Sequence, residues 1–239
     1  MPVRCHRLFQ PMSAADGAGT KDVAIGSAVT LRHVNTQGGY LHSHAHNYPG
    51  GSGRTSSPSS LFRYQLRWTN LEQQITLYPH RDTNNDWRIT IAKDSGHPET
   101  EWVDEPLQHV TGGMKVRLRH IITDKNLHSH DYRPPISDVD FQNEVSGYGM
   151  AGFIGDANDD WFVEIEHGDK NDKESSKRLR TLRTVFRLRH ALTGCYLFSH
   201  KVKLPAWGFE QQEVTCNKNA MKLNSLWMIE TAMHLNRKC

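Results

Sequence analysis

Three histidines, His42, His44 and His46, occupy alternate positions in GGYLHSHAH, residues 38–46. Nearly the same phrase returns as KNLHSHD at 125–131 and CYLFSHK at 195–201. Side chains alternate across an extended strand, so Leu41 and Ser43 face one way and His42 and His44 the other. Neutral imidazoles two apart on a strand can ligate zinc. Yet the third copy has Phe198 where the others have His42 and His128, and no carboxylate or cysteine keeps a fixed spacing to them. The sequence therefore assigns no metal and no cofactor. His44, His130 and His200 recur in all three copies. They read as hydrogen-bond donors, either to the protein's own loops or to a sugar or peptide.

Other polar groups invite chemistry. RDTNNDW (81–87) and GDANDDW (155–161) look like the paired carboxylates of glycoside hydrolysis. The matching stretch KLNSLW (222–227) has no acid, so the repeat builds no catalytic pair and no catalytic residue is assigned. All three keep an asparagine three residues before the tryptophan: Asn84, Asn158 and Asn224. Such a residue can close an Asx turn or meet a ligand. The pairs Gln73–Gln74, Asn143–Glu144 and Gln212–Glu213 open another strand, with Gln142 and Gln211 just ahead of two of them. Alternation turns one of each pair outward, and amides can satisfy sugar hydroxyls as donor and acceptor. In PAWGF (205–209), Pro205 and Gly208 hold a turn that would present Trp207 and Phe209. An exposed Trp207 beside Gln211 would stack on a pyranose, and a tucked one would only pack.

These groups sit on a repeated scaffold. VTLRH (29–33), VRLRH (116–120) and FRLRH (186–190) alternate apolar and polar residues, as half-buried strands do. Each is followed by a short turn, the histidine strand, a third strand (EQQITLY, QNEVSGY, QQEVTC) and a tryptophan strand. Three units of about four short strands, closing on one another, predict an all-β fold of about 12 strands with pseudo-threefold symmetry: a β-trefoil. Trp87, Trp161 and Trp227 should fill equivalent core positions, and Leu41, Leu127 and Leu197 likewise. His130 precedes Ser146 by 16 residues and His200 precedes Thr215 by 15, but His44 precedes Thr76 by 32. The first copy thus carries an insertion at about 51–70. Its Gly/Ser/Pro-rich first half reads as loop, and its second half holds Leu61, Phe62, Tyr64, Leu66 and Trp68. It is either a surface excursion or a translated non-coding segment. The expected organisation is an unstructured segment 1–21, a trefoil over 22–232 with repeats at about 22–92, 110–167 and 182–232, and a tail at 233–239.

Composition narrows the function. The net charge of +3 in 239 residues is too weak to draw nucleic acid or an acidic membrane. In KRLRTLRTVFRLRH (177–190) the arginines alternate with apolar residues, as on the solvated face of a strand. No run approaches the roughly 18–20 apolar residues of a membrane span, and the start lacks the continuous apolar region of a signal peptide. Of the four cysteines, Cys195 and Cys216 fall inside one repeat. They either pair, if the fold brings them to disulfide distance, or stay as buried thiols.

Three copies of LRH…LHSH…QxEVS/T…NDDW resemble MIR motifs. The longer phrases DVAIGSAVTLRHVNTQGGYLHSHAHNYPGGS, QQITLYPHRDTNND and LTGCYLFSHKVKLPAWGFEQQEVTC resemble the MIR domain of dolichyl-phosphate-mannose–protein mannosyltransferases of the fungal-type branch. The resemblance covers about residues 22–236, apart from the insertion. It implies a luminal module of an endoplasmic-reticulum membrane enzyme that transfers mannose to Ser/Thr, with catalysis in membrane parts this sequence does not contain. It implies contact with a Ser/Thr-rich acceptor peptide or mannosyl glycan, and a second mannosyltransferase subunit as partner. A soluble MIR protein of the same compartment is the alternative. Candidate contact residues are His42, His44 and Gln73 in the first copy, His128, His130, Gln142 and Asn143 in the second, and His200, Trp207, Gln211 and Gln212 in the third. The second copy, with no insertion and both histidines, is expected to offer the best groove.

Overall fold

The computed structural model describes residues 20–36, 38–49, 72–91, 107–137, 142–149, 153–219 and 222–233. The insertion at 51–70, Cys5, Cys239, and nearly all of the terminal segments lie outside the described residues. Twelve strands follow in order: β1 Ala28–His33, β2 Tyr40–Asn47, β3 Gln73–Tyr78, β4 Asp86–Thr90, β5 Lys115–His120, β6 Asn126–Ser129, β7 Gln142–Tyr148, β8 Trp161–His167, β9 Val185–His190, β10 Tyr196–Lys203, β11 Gln212–Asn217 and β12 Trp227–Met233.

Their pairing defines a β-trefoil. The first and fourth strands of each unit close a ring, β1–β4–β5–β8–β9–β12 and back to β1, all antiparallel. Each barrel strand contributes one residue to a central apolar layer: Leu31, Ile89, Leu118, Val163, Leu188 and Ile229, all nearly inaccessible. The second and third strands form three hairpins, β2–β3, β6–β7 and β10–β11. The third strands also pair with one another, β3–β7, β7–β11 and β11–β3, and so cap the barrel around its axis.

The repeated residues make repeated bonds. The indole Nε1 of Trp87, Trp161 and Trp227 donates to the carbonyl of Leu41, Leu127 and Leu197 at 3.0, 2.9 and 3.0 Å. All six side chains are fully buried, as expected. Ser43, Ser129 and Ser199 donate to the carbonyls of Gln74, Glu144 and Glu213 at 2.9, 2.8 and 2.9 Å, stitching each hairpin. One gap between second and third strands is filled in three ways. A Cβ on Gly39 would come 2.7 Å from Leu77, so a glycine faces a large side chain. In the second unit Lys125 lies over Gly147. In the third, Cys195 and Cys216 form a disulfide with Cα atoms 5.3 Å apart.

Two expectations fail here. The barrel arginines are not a solvated face in the second unit: Arg117 and Arg119 are buried. Arg117 Nε donates to Asp160 at 2.6 Å and its other nitrogens to the carbonyls of Ile154 and Asp156. Arg119 donates to Asp124 at 2.7 Å. The 153–160 segment folds over this outer face and neutralises it. In the third unit, Arg187 lies over the Tyr196 ring at 3.3 Å, and Arg189 pairs with Glu164. The paired polar residues of the third strands do not alternate in and out either. Gln73, Gln74, Asn143, Glu144 and Glu213 are all buried, because each third strand has a neighbour on both sides at the axis.

Candidate functional site

The histidine strands face the turns that lead into the tryptophan strands. His42 Nδ1 lies 2.7 Å from Asn85 Oδ1, and its Nε2 lies 3.1 Å from His44 Nδ1. The second unit repeats this with a carboxylate: His128 Nδ1 is 2.8 Å from Asp159 Oδ1, and Nε2 is 3.0 Å from His130 Nδ1. The third unit breaks it. Phe198 replaces the first imidazole, and His200 turns to Glu213 Oε2 at 3.2 Å and Ser137 Oγ at 3.1 Å. Glu213 also accepts from the backbone N–H groups of Ile136 and Ser137, so this histidine serves a loop anchor.

The turns themselves are short 3-10 segments, Thr83–Asn85, Ala157–Asp159 and Lys222–Ser225. Asp82 and Asp156, not the repeated asparagines, cap the first two by accepting from the N–H of Asn84 and Asn158 at 2.8 Å. The asparagines offer their carbonyls to histidines of the following unit. His33, His120 and His190, from the LRH phrase, reach Asn224, Asn84 and Asn158 at 3.0, 3.0 and 2.9 Å through Nε2. Their Nδ1 atoms meet Thr36, Thr123 and Thr193. These histidines hold adjacent units together. Sequence reasoning passed over them, although LRH-x-x-T is as regular as LHSH.

Each groove draws on two units. Gln142 accepts from Thr215 of the third unit at 2.7 Å. Gln211 accepts from Thr76 of the first, and Glu72 from Ser146 of the second. The residue at or just ahead of the start of a third strand thus serves the next groove, not its own. Gln142 and Asn143 sit beside β11, away from His128 and His130. Gln211 and Gln212 sit beside β3, near His42. Gln73 lies opposite Gly147 and donates to Thr123 at 2.9 Å. The PAWGF turn reaches the first groove as well. Phe209, 51% exposed, meets His44 and His46 edge-on at 4.9 and 5.0 Å. Trp207 is half-buried, 6.2 Å from the Tyr48 ring, and its carbonyl accepts from Gln74.

Burial sets the protonation. It lowers His44 and His130 to about 4, with further repulsion from neighbouring imidazoles. Burial also lowers His42. At His128 burial pulls down, but the Asp159 hydrogen bond and the nearby carboxylates outweigh it and raise the pKa. Burial thus disfavours charge on His42 and His44 of the first groove, where Asp82 stands 3.6 Å from His42 Nδ1, while the second groove adds the buried carboxylates Glu72 and Asp159. Among the described residues, two groups bring three potential metal ligands together, Glu72–His128–His130 and His128–Asp156–Asp159.

The strand pairing defines a β-trefoil built of three copies of one unit, with polar side-chain clusters between its cap hairpins. Residues 39–229 match the family model for the MIR domain, and the chain belongs to that family. It is 51% identical over 210 residues to dolichyl-phosphate-mannose–protein mannosyltransferase 1 of Saccharomyces cerevisiae, covering 87% of this chain and 23% of the relative. It is 40% identical over 214 residues to protein O-mannosyl-transferase 2 of Drosophila melanogaster, covering 90% and 24%. The chain thus spans about a quarter of the length of these relatives. Among solved structures it resembles the S. cerevisiae protein O-mannosyltransferase Pmt1–Pmt2 complex bound to the sugar donor, with a TM-score of 0.73 and 49% identity over 89% of this chain and 26% of that one. It also resembles the SDF2-like protein of Arabidopsis thaliana, with a TM-score of 0.68 and 27% identity over 91% and 99%. No helix among the described residues is long and apolar enough to cross a membrane.

Proposed function

We propose that this chain is the ligand-binding accessory module of a protein O-mannosyltransferase, engaging a Ser/Thr-rich acceptor peptide or a mannosyl glycan while the chemistry is done elsewhere. One observation carries the reading: Phe209 forms a half-exposed apolar wall against the edges of His44 and His46 in a groove that Gln211 also lines. A sugar ring or hydroxylated side chain needs an apolar face and neutral donor–acceptor groups. His44 stays uncharged near neutral pH, so the groove favours hydroxyls over anions. On this reading the site lies between the first and third units, with Phe209 rather than Trp207 as its apolar face. The identity to mannosyltransferases supports the substrate class, and the likeness to a two-subunit complex supports a second mannosyltransferase as partner. The Cys195–Cys216 disulfide fits an oxidising compartment such as the endoplasmic-reticulum lumen. The stand-alone alternative draws on the match to nearly the whole SDF2-like chain.

The test is an NMR titration of the purified chain with mannosides and Ser/Thr-rich peptides, beside an assay for transfer from dolichyl phosphate mannose. Weak binding that perturbs β2 and the 205–211 turn, lost in Phe209→Ala, supports the reading, as does the absence of transfer. Binding unaffected by Phe209→Ala and His44→Ala sinks the site. Loss in a His130→Ala, Gln142→Ala double variant alone would move it to the other grooves. Transfer by the chain itself would overturn the accessory role.

A further inference from the structure

We propose that the second groove is a binding site for a divalent transition-metal ion of the zinc class, held by Glu72, His128 and His130. One ligand atom from each lies within 4.8 Å of the others. Two imidazoles and a carboxylate form a three-ligand zinc set that leaves a fourth position open for water. The sequence offers no such trio, because Glu72 belongs to the first unit and enters the groove only through the β3–β7 pairing.

The neighbouring groups are those a ligating histidine needs. His128 Nδ1 faces the fully buried carboxylate of Asp159 at 2.8 Å. A carboxylate on the far nitrogen fixes the proton there and turns the other nitrogen, Nε2, into a lone-pair donor. That Nε2 faces His130 Nδ1 at 3.0 Å. His130 Nε2 is itself buried with no hydrogen-bond partner among the described residues.

The first groove is an internal comparison. His42 and His44 reproduce the imidazole pair, but Asn85 stands where the second groove has Asp159, and Gln211 where it has Glu72. Both departures from amide to carboxylate fall in the same groove. Two carboxylates beside two imidazoles call for positive charge. Nearby Lys125 is half-buried, donates to the Gly149 carbonyl at 2.8 Å and supplies one positive charge on the Glu72 side. A dication supplies the charge at the point where the three ligand atoms converge, and a low-dielectric surround strengthens its attraction.

The test uses the purified full chain, stripped with a chelator and titrated with zinc chloride by calorimetry. Cobalt(II) absorption then reports the coordination geometry. One zinc per chain is expected, with tetrahedral cobalt bands. Glu72→Gln, which installs the first groove's amide, should weaken binding at least about tenfold, and Asp159→Asn about 10–100-fold. His130→Ala should abolish it, while His44→Ala, in the matching pair, should not change it. Tryptophan fluorescence checks the fold of each variant, and if His130→Ala does not fold, Glu72→Gln decides. Failure to bind zinc stoichiometrically would overturn the proposal. So would binding that survives Glu72→Gln, or that falls equally in His44→Ala.

Discussion

The imidazole of His33 stands edge-on to the indole of Trp227, centroids 4.8 Å apart, so the first strand of the barrel is locked to the last. His120–Trp87 and His190–Trp161 repeat the contact at 4.9 and 5.0 Å. Each pair joins neighbouring units, and the set closes the ring.

Removing an indole N–H should tell on all three joints alike. Trp87→Phe, Trp161→Phe and Trp227→Phe each leave a buried leucine carbonyl without its donor and open a small void. We expect a loss of about 2–4 kcal/mol in each, read from urea unfolding, since the unmade bond costs about 1–3 kcal/mol and the void adds to it. A loss confined to one tryptophan would contradict their equivalence.

Stability should fall in mild acid. Burial holds His33 and His120 at about 4, and it lowers His190 as well. Unfolded histidines titrate near 6.5, so between these values the unfolded chain takes up protons that the folded one refuses. The stabilisation is complete above about pH 6.5 and is lost as the pH falls towards 4. By pH 5 each strongly shifted site forfeits about 2 kcal/mol. Urea midpoints measured from pH 8 to 5 should drop, and His33→Gln should flatten the slope. An equal slope in that variant would assign the acid sensitivity elsewhere.

The disulfide replaces packing that the other two units achieve with a glycine opposite a larger side chain. It closes a sequence separation of 21 residues. Constraint of the unfolded chain by a loop of that size predicts a loss of about 3 kcal/mol in the Cys195→Ala, Cys216→Ala double variant. Reduction of the native protein should lower its thermal midpoint, and the double variant should be indifferent to reductant.

Glu213 should govern a loop far from it in sequence. Its buried carboxylate accepts from two backbone N–H groups and from the Ser137 hydroxyl, and His200 holds it from the other side. Glu213→Gln keeps the shape but removes the charge. We expect faster hydrogen exchange and earlier proteolysis within 131–137, with global stability reduced by about 1–3 kcal/mol. Unchanged exchange in that loop would show the anchor to be idle.

Much of this architecture is written in the sequence. Trp87, Trp161 and Trp227, and the leucines they bond, recur once in each unit because each unit must bury the same residues to close one barrel. The histidine pairs were legible because strand alternation is a local rule. The grooves were not, because Gln142, Gln211 and Glu72 each cross to a different unit. That placement depends on pairing between strands far apart in the chain. The same pairing buried Gln73 and Asn143, where alternation alone would expose half of the pair. The arginines misled for a similar reason: Asp160 and Asp124 lie beyond the strand that carries Arg117 and Arg119.

The pairing of β1 with β12 sets Ala28 beside Met233. Ahead of β1 the chain leaves that edge: Val23 donates to the Leu179 carbonyl at 3.0 Å and accepts from Val110 at 2.9 Å. Residues 20–27 thus form a strap that ties the entry of the first unit to both of the linkers between units. Tension on that strap is shared by two linkers before it reaches a barrel strand.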